Sequence, residues 1–300
     1  MRNIKYKQLT YKNQRLPLFV LFLLLQLLPC LVVSANPGND TIRNTCEYLG
    51  ARADKNFLGS GNVALVIEPA KTRVLFVQQW KEKGVFDWAA GTVRSWYPDR
   101  IEMNEPMPPL GAKMSQSPIS RSIFITRDDV AGMKLVWKNN TEQEISIHAS
   151  FTGMLPGNAN TSQSADAGFL YSTAPYSNKV SQPVHFVLGS SLKPVQVDLH
   201  DSSYKVSYVL AIKPGEQKSL TLLLGTGTDV QLVSKAVNRW KELPNIPGAV
   251  RQDWNAWFDQ EIPRFQCSDP YFEKLYYYRW WSLYTKMIFV KVGHFYYPAP

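Results

Sequence analysis

Short runs of apolar residues at period two recur from Phe57 to about Gly227, separated by Gly, Pro, Asn and Asp. Val63-Ala64-Leu65-Val66-Ile67 stops at Glu68-Pro69, and Arg73-Val74-Leu75-Phe76-Val77 follows a short turn. Ser122-Ile123-Phe124-Ile125-Thr126 alternates cleanly. Lys134–Lys138 and Glu144–Ala149 flank a polar Asn139-Asn140-Thr141-Glu142 stretch, which predicts a hairpin. Three later runs, Val184–Leu188, Tyr204–Leu210 and Ser219–Leu224, complete the set, with a Lys213-Pro214-Gly215-Glu216 turn between the last two. Alternation means one buried and one wet face per strand, as in antiparallel sheets. About eight strands at this spacing predict a mainly β protein, an antiparallel β-sandwich over residues 36–228.

Near Asp229 the period changes to 3.6. Asp229 caps a predicted helix with Leu232, Val233, Ala236, Val237 and Trp240 on its apolar positions, ending before Pro244 and Pro247-Gly248. A second helical segment, Val250–Phe258, carries Trp254 and Trp257. Residues 229–264 therefore read as a helical linker. A third helix starts at Ser268-Asp269-Pro270, a cap followed by proline at the first helical position. It continues through Tyr271 to Ile288 with few polar positions (Arg279, Ser282, Lys286), which predicts burial on most of its surface. The neighbours needed for that burial are not among the residues that follow it, so 265–300 reads as the start of a truncated helical domain.

The N-terminus has a different character. Five basic residues (Arg2, Lys5, Lys7, Lys12, Arg15) precede an apolar run from Leu16 to Val33 that closes on Val33-Ser34-Ala35. That order is a secretory signal over residues 1–35, and it places the protein outside the cytoplasm, in a periplasm or extracellular space. An uncleaved anchor is the competing reading; Pro17, Gln26 and Pro29 within the run favour cleavage, leaving no stable membrane span. Lipid attachment at Cys30 is disfavoured because Pro29 stands where a small residue belongs.

Charge then loses most of its meaning. The chain of 300 residues has 33 basic and 24 acidic side chains; without the signal's five, 28 stand against 24, a net +4 with no clustered run. A nucleic-acid partner is excluded on that ground. The four histidines are scattered, no Cys/His spacing suits a metal, and no cofactor is expected. Cys46 and Cys267 remain in the exported chain, where they form a disulfide or stay as two thiols. Asn39, Asn139 and Asn160 head glycosylation sequons. The stretch Gly84–Gln116 carries Asp87, Trp88, Trp96, Tyr97, Asp99, Glu102 and Glu105, residue types that hold sugars or else anchor a packed loop. Ala159–Ser177 reads as a surface loop. No pattern speaks to oligomeric state.

The segment IPRFQCSDPYFEKLYYYRWWSLYTKMI, behind a secreted sandwich and a tryptophan-bearing linker, resembles six-hairpin (α/α)6-barrel glycosidases. It is similar to glycoside hydrolase family 63 and mannosylglycerate-hydrolase-like proteins, in their N-terminal part only. The resemblance implies hydrolysis of α-glycosidic bonds in oligosaccharides with inversion, by two carboxyl groups about 6.5–9.5 Å apart. In such proteins both lie beyond the first barrel helix, so no catalytic residue is assigned here. Asp269 and Glu273 read instead as a cap and a first-turn acid. The resemblance offers Arg279, Trp280, Trp281, Tyr296 and Tyr297 as sugar-binding residues, with His294 and Phe295 beside them; the alternative is that the rings fill a core. The competing function is a non-catalytic carbohydrate-binding or structural sandwich.

Overall fold

The computed structural model describes residues 56–59, 63–67, 72–76, 80–83, 93–103, 112–155, 158–161, 170–177, 180–285, 287–290 and 293–296. Strands β1–β18 and helices α1–α3 are numbered along the chain. The largest sheet has eight strands, in the spatial order β11 (Asn158–Thr161), β12 (Leu170–Ser177), β13 (Val180–Ser190), β16 (Gln217–Gly227), β9 (Val130–Lys138), β8 (Ser120–Ile125), β6 (Arg100–Met103) and β5 (Val93–Trp96). A four-stranded sheet runs β14 (Gln196–His200), β15 (Ser203–Ile212), β10 (Ile145–Met154) and β7 (Ala112–Met114). A second four-stranded sheet joins β1 (Asn56–Gly59), β2 (Val63–Ile67), β3 (Thr72–Phe76) and β4 (Trp80–Lys83), and β17 (Met287–Val290) pairs with β18 (Gly293–Tyr296). All of these pairs are antiparallel. The chain is a mainly β sandwich followed by helices.

Burial distinguishes the two large sheets. In β15 alternate residues Tyr204, Val206, Tyr208, Leu210 and Ile212 are buried and the rest face water. The central strands β9 and β16 are buried on both faces, from Leu220 through Thr226 without a break in the latter. An unbroken apolar run is what a strand covered on both sides requires. Tyr208 of β15 donates to Ser190 of β13 at 2.9 Å, tying the two sheets across the core. The helices cover the second face. Helix α1 (Val230–Lys241) lays Val233 and Val237 on β16 and buries Trp240 in its last turn. Gly225 permits that approach: a Cβ there would stand 2.6 Å from a Val237 methyl carbon and 2.9 Å from one of Val233. Gly225→Val should therefore push α1 off the sheet and lower stability by about 1–3 kcal/mol, read as a shift in urea midpoint.

The predicted Lys134/Ala149 hairpin is not formed. Strand β9 pairs with β8 and β16 in the larger sheet, whereas β10 pairs with β15 and β7 in the smaller. The intervening residues cross the end of the sandwich as an arch, and the Lys213–Glu216 turn makes a second arch beside it. Asn139 joins them. Its amide nitrogen donates to the carbonyls of Gln143 (2.7 Å) and Ile212 (2.8 Å), and Thr141 donates twice to its oxygen. Its own N–H and C=O pair with Glu216 and Gly215. At 1% exposure, with both amide hydrogens committed, this sequon offers no acceptor for a glycan.

Two stretches expected as loops contain strands. Ala159–Ser177 supplies β12 and most of β11, and Gly84–Gln116 supplies β5, β6 and β7. Polar small residues hid the first and prolines the second, but Pro98, Pro106, Pro108 and Pro109 all fall between the strands and not within them. The second helical segment also begins earlier than expected: α2 runs Ile246–Glu261, capped by Asn245, with Pro247 inside the first turn, where its missing N–H is no loss. Among the described residues no helix is long and apolar enough to cross a membrane.

Candidate functional site

The turn between β8 and β9 is Thr126-Arg127-Asp128-Asp129. Thr126 closes it, accepting from Val130 N–H through its hydroxyl at 3.0 Å and donating its own N–H to the Val130 carbonyl. Asp129 sits at φ 65°, a left-handed conformation that aspartate tolerates better than most residues. The geometry presents Arg127 and Asp128 to three helices at once. Asp128 accepts from Arg239 (3.0 Å) and from the Trp240 indole (2.8 Å), both on α1. Arg127 donates to Glu261 at 3.2 Å and lies 4.0 Å from Asp253, both on α2. Tyr284, at the end of α3 (Pro270–Tyr284), donates to the Arg127 carbonyl at 3.3 Å. The Trp254 indole of α2 donates to the Ile125 carbonyl at 2.9 Å.

Burial sets the electrostatics. It pushes the Tyr284 hydroxyl up to about 12, against the opposing pull of Arg127. It also raises the Asp253 carboxyl, which Arg127 partly offsets. Between this turn, the end of β16, the start of α1 and Tyr284 lies a cavity of about 500 Å3. Its wall mixes Arg127, Asp128, Asp229 and Arg239 with Leu232 and Ala236. Asp229 serves as the α1 cap, accepting from Gln231 and Leu232 N–H groups at 3.0 and 3.3 Å.

A second cavity, of about 390 Å3, lies on the far side of α3. Here the helix departs from its expected burial. Tyr277, Trp281 and Tyr284 form its inner stripe against Trp96, Trp254, Trp257 and Phe258, with Trp281 at 5.1 Å from Trp96 and Tyr284 at 4.8 Å from Trp257. The outer side is open: Tyr271 is 54% exposed, Phe272 61% and Leu283 38%. Helix α3 also ends earlier than predicted. Thr285 terminates it, its hydroxyl bonding back to the Ser282 carbonyl at 3.0 Å, and Met287–Val290 then turns to strand. A β-branched and aromatic run after a cap favours that change.

The candidate sugar-binding residues are consequently split. Arg279 and Trp280 line the outer cavity with Phe265, Phe272, Tyr276 and Leu283. Trp281 points the other way and is 2% exposed, packed on Trp96 and Tyr278. Tyr296 belongs to β18, with His294 and Phe295, while Tyr297 lies outside the described residues. Asp269 caps α3, accepting from Tyr271 N–H at 2.9 Å, and Glu273 sits in the first turn. Cys267 is exposed, its thiol donating to the Asp269 carbonyl at 2.9 Å; Cys46 lies outside the described residues.

Of the Gly84–Gln116 candidates, Trp96, Tyr97 and Asp99 are buried. Asp99 holds Arg100 at 3.0 and 3.1 Å, and the guanidinium lies 3.6 Å over the Tyr97 ring, so this part is packed structure. Asp87, Trp88 and Glu105 lie outside the described residues. No group of three acidic, His or Cys side chains among the described residues is placed to hold a metal.

No protein-family model matches the chain, and no curated protein matches it. Three solved structures to which it is similar are described as carbohydrate-active enzymes. One is described as a kojibiose phosphorylase from the human microbiome: 10% identity, TM-score 0.30, covering 75% of this chain and 29% of that one. Another is described as an aldose 1-epimerase from Escherichia coli K12: 8% identity, TM-score 0.34, covering 58% of this chain and 99% of that one. The third is a bacterial glucoamylase complexed with acarbose: 7% identity, TM-score 0.31, covering 76% and 39% respectively. The chain thus spans less than a third of the first structure's length, and at these scores the likeness is coarse.

Proposed function

We propose that the chain is the N-terminal portion of an exported glycoside hydrolase of the six-hairpin, (α/α)6-barrel kind. In this reading it acts on α-glycosidic bonds of oligosaccharides with inversion, and its catalytic carboxylates lie outside these 300 residues. The observation that carries the reading is the outer side of α3. One stripe of that helix is closed against the sandwich and α2, while Tyr271, Phe272 and Leu283 on the other side stand in water. An aromatic surface of this kind is costly to hydrate, and another helical hairpin laid along it would remove the cost. Arg279 and Trp280 would then stand at the seam between that hairpin and the first helix.

The chemistry assigned to the full enzyme is a carboxylic acid protonating the leaving oxygen while a carboxylate activates water on the opposite face. Asp269 and Glu273 do not serve as that pair, since the first is committed to capping and both belong to one helix start. The work of these 300 residues is to hold the first barrel helix rigidly. Export through residues 1–35 is part of the same proposal. One feature favours the non-catalytic sandwich instead: the inner stripe of α3 finishes the sandwich as a lid would.

The purified 300-residue chain, and the polypeptide that its natural reading frame encodes, should be incubated with maltose and with an α-mannoside. Anomeric proton signals of the product are then followed. The expected result is β-anomer released first, by the longer polypeptide alone. Turnover by the 300 residues alone, first release of the α-anomer, or a reading frame that stops after Pro300 would overturn the proposal.

A further inference from the structure

Helix α1 has a second side. Val233 and Val237 pack on the sheet and Trp240 is buried, while Leu232, Ala236 and Arg239 recur at helical spacing along the wall of the cavity of about 500 Å3. That volume lies within the roughly 300–1,000 Å3 of small-molecule pockets. Lys235 stands exposed on this wall, while Arg127, Asp128, Asp229 and Arg239 are already engaged. Asp128 is bonded to Arg239, Arg127 to Glu261, and Asp229 to the first N–H groups of α1. An ion held between Asp128 and Arg239 would lose hydration against two charges that already neutralise each other.

A neutral ligand meets a different balance. Asp128 is 33% exposed and Arg239 59%, so both stay open to solvent while held in one geometry by their mutual bond. Each carboxylate oxygen retains a further acceptor site beyond the one used by Arg239 or Trp240, and the planar guanidinium retains donors. A fixed acceptor beside a fixed donor fork matches two adjacent hydroxyl groups. Leu232, at 62% exposure, together with Ala236 supplies an apolar wall alongside. Hydroxyls on the rim and C–H groups on a flat face are the features of a sugar ring.

We infer that this cavity binds a neutral pyranose unit, with Asp128 and Arg239 on adjacent hydroxyls and Leu232 against the ring. The inference stands on the wall of this cavity and does not depend on the hydrolase reading. Its reporter is built in, because the Trp240 indole N–H is bonded to Asp128 at 2.8 Å. Methyl α-D-glucopyranoside titrated into the full chain should shift the Trp240 indole resonance saturably, with a Kd on the order of millimolar. Arg239→Ala, or Leu232→Ser if the first variant fails to fold, should weaken that titration about tenfold or more. Leu283→Ser, on the other cavity, should leave it unchanged. An unmoved Trp240 resonance at about 100 mM sugar overturns the inference. So does a shift produced by inorganic phosphate but not by the glucoside, or equal weakening by Leu283→Ser.

Discussion

Asn139→Ala should destabilise the protein by about 2–4 kcal/mol, measured by urea denaturation, although the residue heads a surface-type sequon. The side chain is 1% exposed and donates both its amide hydrogens to carbonyls, of Ile212 and of Gln143; the second also accepts from the Thr141 hydroxyl, so the loss in alanine falls chiefly on the buried bond to Ile212. A buried bond lost in this way costs about 1–3 kcal/mol, and the Thr141 N–H and hydroxyl lose their shared acceptor as well. Asn139→Asp keeps the shape and the acceptance from Thr141 but replaces the donating nitrogen with an oxygen facing those two carbonyls, so it should be at least as damaging. Thr141→Val removes one hydroxyl bond to the Asn139 oxygen and should cost nearer 1 kcal/mol. In a host that glycosylates secreted chains, peptide mass analysis should find Asn139 unmodified. A glycan there, or a loss below about 0.5 kcal/mol for Asn139→Ala, would show that the two arches are not joined as described.

Asn139 also marks what local pattern conveys and what it omits. The alternation on either side of it was legible, and both strands exist. Alternation does not say which strand becomes a neighbour, and a polar four-residue connection suits an arch between sheets as well as a hairpin within one. Adjacent β2 and β3, separated by a short turn, do pair with each other. Helix starts were the most legible feature: Asp229 and Asp269-Pro270 cap α1 and α3 as their chemistry demands. The extent of burial along α3 was not legible, since periodicity cannot distinguish a helix enclosed all round from one closed on a single stripe. The cavity wall was hidden for a different reason. Arg127 and Asp128 look like ordinary turn residues until the fold brings Glu261, 134 positions away, and Arg239 and Trp240, 111 and 112 away, against them.

That turn also explains why the helices and sandwich form one structural unit. Arg127 reaches α2 by an ion pair and α3 through its own carbonyl, while Asp128 holds α1. Exposed ion pairs contribute little singly. Here they stand beside the Trp254 and Trp240 indole bonds, which fix the direction in which each apolar helix face meets the sheet. A cavity wall assembled from such mutually bonded groups is preformed, so a ligand entering it need not order loose side chains.

The opposite arrangement occurs at Arg121, and Arg121→Met should raise stability. This residue of β8 is 5% exposed, and its Nε and one terminal nitrogen find no hydrogen-bond partner among the described residues. Desolvation alone lowers its pKa to about 10, well below the ordinary guanidinium value. A drop of that size corresponds to on the order of 3 kcal/mol, which is what the charged guanidinium costs the fold at neutral pH. Methionine is unbranched, fills a similar volume and carries no charge to desolvate, so most of that cost should disappear. The sign follows from linkage. A base whose folded pKa lies below its unfolded value binds more protons when unfolded, so native stability is depressed below pH 10 and recovers as pH rises from about 10 toward the ordinary guanidinium value. The advantage of Arg121→Met over the natural chain should therefore be full at pH 7 and shrink as pH rises past 10. Urea midpoints at pH 7 and pH 10.5 check both parts. A variant less stable than the natural chain at pH 7 would mean that Arg121 holds a partner or fixes strand register, and that its burial is compensated.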